Sequence, residues 1–258
     1  MRIARFVALS DPLYGLVEGE PGSEEVTVIK GDPFFNGIER TAVTHKLEDV
    51  RLLAPIIPRS KLVGIGRNFV EHAHELGNEV PKQPLMFLKP NTSVIGPNDP
   101  VVLPDFSNEV SYEAELCVVI GRICKDVPAE RVDEVIFGYT CGNDLTARDV
   151  QKADQQWARA KGFDTSAPLG PWIETELDTE DLVIRGWLNG DLRQEGSTSQ
   201  MVWGVRELVS VVSKAFTLLP GDVIMTGTPS GVGLVKAGDR YEIEIEGIGR
   251  LSNPIVRR

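Results

Sequence analysis

Apolar and polar positions along this chain alternate over short spans, and turn residues interrupt the alternation often. Arg2 to Leu9 and Glu25 to Ile29 read as strands. They are separated by the turn clusters Glu20-Pro21-Gly22-Ser23 and Lys30-Gly31-Asp32-Pro33. Tyr241-Glu242-Ile243-Glu244-Ile245-Glu246 alternates strictly, which predicts one buried and one solvated face. Asn189-Gly190 lies between alternating residues in Trp187 to Leu192, the strongest short hairpin signal. Two apolar runs, Glu109 to Gly121 and Val135 to Gly142, predict strands, the second of them buried.

Helical spacing is rarer. Candidates are Phe69 to Leu76 with Asn68 as N-cap, Ala129 to Val135, and Val205 to Ala215 with Leu208, Val209, Val211 and Val212 apolar. A further helix is expected from near Thr146 through Ala153, with Asp144 and Thr146 supplying capping oxygens. Leu53 to Pro58 carries two prolines and suits a connector. It divides the chain into a small β-rich N-terminal domain, residues 1–57, and a main domain, residues 58–258. The expected class is α+β with β dominant.

Composition sharpens this picture in three ways. The 25 glycines and 17 prolines in 258 residues, without a repeat period, fit a turn-rich β fold. A net charge of −11 without a basic stretch argues against nucleic acid and anionic membranes as partners. No apolar run approaches the roughly 18 residues of a membrane helix, and the first residues read as a strand rather than a signal segment. Cys117, Cys124 and Cys141 form no CxxC pair and are odd in number, so neither a zinc site nor a disulfide framework is suggested. A reducing compartment, the cytoplasm, is expected.

Candidate chemistry concentrates in a few segments. On a strand, Glu113 and Glu115 project to one face while Tyr112, Ala114 and Leu116 project to the other. Two carboxylates side by side are costly in a β core unless a cation or proton intervenes; on an edge strand they would be an ordinary solvated face. The run to Gly142 delivers Asn143-Asp144 at its end, so Asp144 is either a third carboxylate or a plain helix cap. Three carboxylates without a Cys or His pattern suit Mg²⁺ or Mn²⁺. His72 and Glu75, three apart on a helix, are either a base with its orienting carboxylate or solvated side chains. Gly227 to Gly233 follows an apolar strand and is either a tight turn or a cradle in which Thr228 meets a carboxylate. Lys161 is either an anion contact or a surface lysine. Gly64-Ile65-Gly66 lacks the third glycine of a dinucleotide fingerprint, Phe69 standing in its place.

Taken in order, these segments resemble the fumarylacetoacetate hydrolase family. The resemblance is carried by Gly66-Arg67-Asn68-Phe69 with His72 and Glu75, Met86-Phe87-Leu88-Lys89-Pro90, and Tyr112-Glu113-Ala114-Glu115-Leu116. It continues through Asn143 to Gln151, Lys161-Gly162-Phe163-Asp164, Pro168-Leu169-Gly170-Pro171 and Gly227 to Gly233. It spans residue 60 or so to the C-terminus and leaves the first 57 residues uncovered. The resemblance implies a β-roll of bent mixed sheets with a few helices, and a homodimer. It implies Mg²⁺ or Mn²⁺ ligands at Glu113, Glu115 and Asp144, a catalytic His72–Glu75 dyad on a mobile lid, Lys161 as a further catalytic residue that contacts substrate, and substrate contacts from Arg67, Gln151 and Thr228. The implied chemistry is C–C cleavage in a small 2-oxo acid, as acylpyruvate hydrolysis or oxaloacetate decarboxylation through a metal-stabilised enolate. A 2-hydroxyhepta-2,4-diene-1,7-dioate isomerase or decarboxylase is the alternative, and a non-catalytic metal-binding protein is the alternative of another class.

Overall fold

Ala114–Ile120 is apolar at nearly every position, as a strand covered on both faces should be. It is buried throughout and pairs on one side with Ile136–Asn143 and on the other with Val223–Met225. In the computed structural model, which describes residues 1–75, 77 and 79–257, these strands lie inside a large mixed sheet. Val223–Met225 runs parallel to Leu62–Gly66, whose other neighbour is the antiparallel Leu85–Lys89. On the far side, Ile136–Asn143 pairs with Ala167–Glu174, and that strand with Arg2–Val7. The N-terminal strands Pro12–Glu18, Glu25–Ile29 and Arg40–Lys46 continue the same sheet outward.

Register shifts at Val119/Ile120 and Tyr139/Cys141 bend the central strands, and a five-stranded sheet containing Val183–Leu188 and Arg240–Ile245 packs across them. The β-dominated α+β architecture expected from the pattern is present. Asn189-Gly190 turns the hairpin between Val183–Leu188 and Asp191–Ser197, and Arg240–Ile245 alternates buried with half-buried or exposed residues. Val205–Ala215 is helical over the expected span, with Leu208, Val209 and Val212 buried. Glu207 caps it by accepting from Gly204 N at 3.1 Å.

Four expectations need correction. Glu109 to Gly121 is two strands, Val110–Tyr112 and Ala114–Ile120, with Glu113 at the break. The backbone N–H groups there bond to distant side chains: Glu113 N donates to Asn143 Oδ1 and Ala114 N to Gln194 Oε1. Asp144 and Thr146 do not cap the next helix, which is Arg148–Ala153 with Ala147 as an N-cap lacking a side-chain bond. Ala129–Glu134 is a 3₁₀ rather than an α helix. Asn68 does not cap Val70–Glu75, because its amide joins Trp203 N and O to Thr226 O. Leu76, expected to end that helix, lies outside the described residues.

Candidate active site

Strand Ala114–Ile120 carries Glu115, and Glu113 occupies the interruption between it and Val110–Tyr112. Asp144 follows the last residue of Ile136–Asn143 and is tied to the same place, its N–H donating to Glu113 O at 3.0 Å. Adjacent antiparallel strands thus bring Asp144 to Glu113 and Glu115, about thirty residues before it in sequence. Each offers an oxygen within 4.8 Å of the other two, and all three residues are buried. The solvated-edge reading of Glu113 and Glu115 is thereby excluded.

Cations surround this cluster unevenly. Lys161 is 3% exposed; its Nζ donates to Glu113 Oε2 at 2.6 Å and to Asp144 Oδ2 at 2.5 Å. It is not a surface lysine. Two cations that the pattern reading gave no role complete the set. Lys89 Nζ donates to Asp144 Oδ1 at 2.6 Å and to Ser166 O at 2.9 Å. Arg148 Nη2 meets Glu113 Oε1 at 2.5 Å. Lys89 ends the apolar stretch Met86-Phe87-Leu88-Lys89, and a lysine closing an apolar strand was the available signal.

Among the described residues, the Glu115 carboxylate accepts only the N–H of Gly227, at 2.8 Å. Gly227 adopts φ +100°, and a Cβ there would lie 2.8 Å from Asn68 Cβ, so the donor needs glycine. The electrostatic consequence is a divided triad. Burial opposes ionisation of Glu113, but Lys161, Arg148 and His72 outweigh it and hold that carboxyl well below the usual range. Burial, reinforced by the charges of Asp144 and Glu113, pushes the Glu115 carboxyl well above it. Lys161 is raised despite burial, because Asp144 and Glu113 favour its charged form. Burial lowers Lys89. Glu115 therefore lacks a cation of its own. An all-oxygen donor set with one under-compensated carboxylate is chemically suited to a hard divalent ion.

Glu113 and Glu115 border a cavity of about 290 Å³ whose wall also includes Arg67, His72, Gln151, Lys161 and Thr228, and Asp144 sits behind them. Arg67 holds φ +59°, a left-handed backbone that costs a non-glycine residue about 1 kcal/mol and tends to persist at functional sites. Trp157 and Arg148 also line the cavity and were not singled out from the sequence. Helix Val70–Glu75 covers one side. His72 is buried; its Nδ1 is 3.3 Å from Glu75 Oε2 and its Nε2 is 3.8 Å from Glu113 Oε1. His74 is exposed. The helix is tied down by Gly231 N, which donates to Glu75 Oε1 at 3.0 Å. The arrangement can bind an anionic oxygen-rich ligand and present a histidine base to it.

Comparison with known proteins points the same way. Residues 61–256 match the family described as Fumarylacetoacetate (FAA) hydrolase C-terminal, and residues 1–55 match one described as Rv2993c-like, N-terminal. The chain is 44% identical over 220 residues to an oxaloacetate tautomerase, fahd2, of Xenopus laevis mitochondria, covering 81% of this chain and 69% of that one. A 5-carboxymethyl-2-hydroxymuconate delta-isomerase structure from Mycobacterium smegmatis is 47% identical, with TM-score 0.93 over 100% of both chains. A fumarylpyruvate hydrolase from Pseudomonas aeruginosa, in complex with Mn²⁺ and pyruvate, is 34% identical, with TM-score 0.74 over 78% of this chain and 91% of that one.

Proposed function

The chain belongs to the fumarylacetoacetate hydrolase family, and on that premise we propose that it cleaves a C–C bond in a small 2-oxo acid. The reaction would be acylpyruvate hydrolysis or oxaloacetate decarboxylation, with Mg²⁺ or Mn²⁺ held by Glu113, Glu115 and Asp144. One observation carries the proposal: Glu113 and Glu115 of a buried all-oxygen triad line one cavity with His72, which is paired to Glu75. When bound there, such a cation would supply Lewis-acid polarisation of a 2-oxo carbonyl.

The remaining roles follow from this chain's own bonds. Glu75 accepts the Nδ1 hydrogen of His72, which leaves the lone pair on Nε2. Nε2 is then the atom that takes a proton from a water on the cavity side. Gln151 has its carbonyl oxygen tied to Arg148 Nη1 at 3.1 Å, so its NH₂ is the end left for a ligand. Lys161 and Arg67 orient anionic oxygens, and helix Val70–Glu75 keeps bulk water off them. A homodimer in the cytoplasm is the proposed working form. Among the described residues no helix is long and apolar enough to cross a membrane.

A second reading has its own support. The Mycobacterium smegmatis neighbour is described as an isomerase and the Xenopus relative as a tautomerase. Either reaction needs only proton transfer at the same atoms, without breaking a C–C bond. Incubation with acetylpyruvate and with oxaloacetate in D₂O, with Mg²⁺ or Mn²⁺ and NMR detection, separates the readings. Pyruvate release supports cleavage. Metal-dependent deuterium entry at C3 without pyruvate supports the isomerase or tautomerase reading. Inertness toward both would leave a metal-binding protein without catalysis.

A further inference from the structure

Gln194 lies behind the cavity wall on strand Asp191–Ser197 and is 0% exposed. Its carboxamide makes four hydrogen bonds, the full capacity of the group. Oε1 accepts from Ala114 N at 3.0 Å and from the Tyr241 hydroxyl at 2.6 Å. Nε2 donates to Pro229 O at 2.8 Å and to Thr228 Oγ1 at 2.8 Å. Two of these partners have only one possible polarity. Ala114 N–H can only donate and Pro229 C=O can only accept, so the orientation of the amide is settled by its neighbours. The Tyr241 hydroxyl reaches Oε1 past Gly186, where a Cβ would lie 2.0 Å from it.

The consequence falls on Thr228. The bond from Nε2 occupies one lone pair of its oxygen and turns the hydroxyl hydrogen away from Gln194, and among the described residues that hydrogen has no acceptor. Thr228 is 2% exposed and lines the cavity that Glu113 and Glu115 border. We infer that Gln194 is a positioning residue: it makes Thr228 a hydrogen-bond donor toward an anionic oxygen of the ligand. Through Ala114 it also locks the Gly-rich turn to the strand carrying Glu115. An amide is required because an acceptor in place of Nε2 would capture the Thr228 hydrogen and turn the hydroxyl away from the ligand. This rests on the 2-oxo acid reading of the site.

The test is calorimetric titration of the Mn²⁺-loaded protein with oxalate, alongside thermal melting. Thr228→Val should weaken oxalate binding about ten- to a hundredfold, the range for a hydrogen bond to a charged group. Thr228→Ser should bind within about threefold of the unmodified protein, since it keeps the donor. Gln194→Glu should weaken binding about as much as Thr228→Val and add less than about threefold in the Thr228→Val background, because both remove one interaction. If Gln194→Glu does not fold, Gln194→Met in both backgrounds completes the same cycle. If neither folds, Thr228 decides: loss in the Val variant restored by Ser supports the donor that the inference requires, and loss not restored by Ser overturns it. Unchanged affinity in Thr228→Val overturns it, as do equal Gln194 losses in both backgrounds. No oxalate binding by the unmodified protein would remove the 2-oxo acid reading, and this inference with it.

Discussion

Glu115 is the residue on which the site's electrostatics turn. It is buried beside two other carboxylates and receives one backbone N–H where Glu113 has Lys161 and Arg148. Removing its charge should relieve repulsion in the metal-free protein while deleting a metal ligand. Glu115→Gln is therefore expected to raise the metal-free melting temperature by a few degrees, on the order of 1 kcal/mol, and to abolish stabilisation by Mn²⁺. Thermal melts with and without Mn²⁺ check both halves; an unchanged Mn²⁺ shift contradicts the ligand assignment. Lys161 behaves oppositely. Lys161→Met leaves Glu113 and Asp144 without their shared ammonium and is expected to cost about 3–5 kcal/mol of stability, as breaking a buried ion pair does. It should also lower kcat/KM for dianionic 2-oxo acids by about ten- to a hundredfold. Denaturant titration and steady-state kinetics read the two effects separately, and unchanged kcat/KM would reduce Lys161 to a structural ion.

At the level of elements, helix Val70–Glu75 is far shorter than the roughly 12–15 residues at which an isolated helix becomes even marginal. Its position depends on Phe69 buried at its start and on Glu75 bonded to Gly231. If His72 is the base for water, His72→Ala should lower acylpyruvate hydrolysis by about 10²- to 10⁴-fold and oxaloacetate decarboxylation much less. Equal losses on the two substrates would make the helix only a cover.

The strands show what the sequence could and could not convey. Arg240–Ile245 and the Asn189-Gly190 hairpin were legible because alternation and turn chemistry are local. The break at Glu113 was not. It arises because Asn143 and Gln194, 30 and 80 residues away, take the N–H groups that a sheet ladder would have used. The capping oxygen also expected of Asp144 failed for a related reason: its carboxylate is taken by Lys89 and Lys161, from elements not adjacent to it in sequence. Lys161, His72 and the triad stood out as residue types, whereas Lys89, Arg148 and Trp157 gained meaning only from what they touch.

Across the whole molecule, the N-terminal strands are continuous with the sheet that carries the site. Arg2 and Ile3 pair with Glu174 and Ile173, and Ile3, Phe6 and Ile173 are fully buried. Deleting residues 1–57 should expose this apolar edge, and the shortened protein is expected to aggregate or melt well below the full chain. A cooperative melt at the same temperature would show that residues 58–258 fold independently. The central claim is that a divalent cation at Glu113, Glu115 and Asp144 is needed for cleavage of a 2-oxo acid. Its most direct test is the initial rate of pyruvate release from acetylpyruvate by chelator-stripped protein as Mn²⁺ is added back. The account predicts no release without metal and saturable recovery on addition of Mn²⁺, absent from Glu115→Gln. Full turnover in excess chelator, or no pyruvate at any Mn²⁺ concentration, would contradict it.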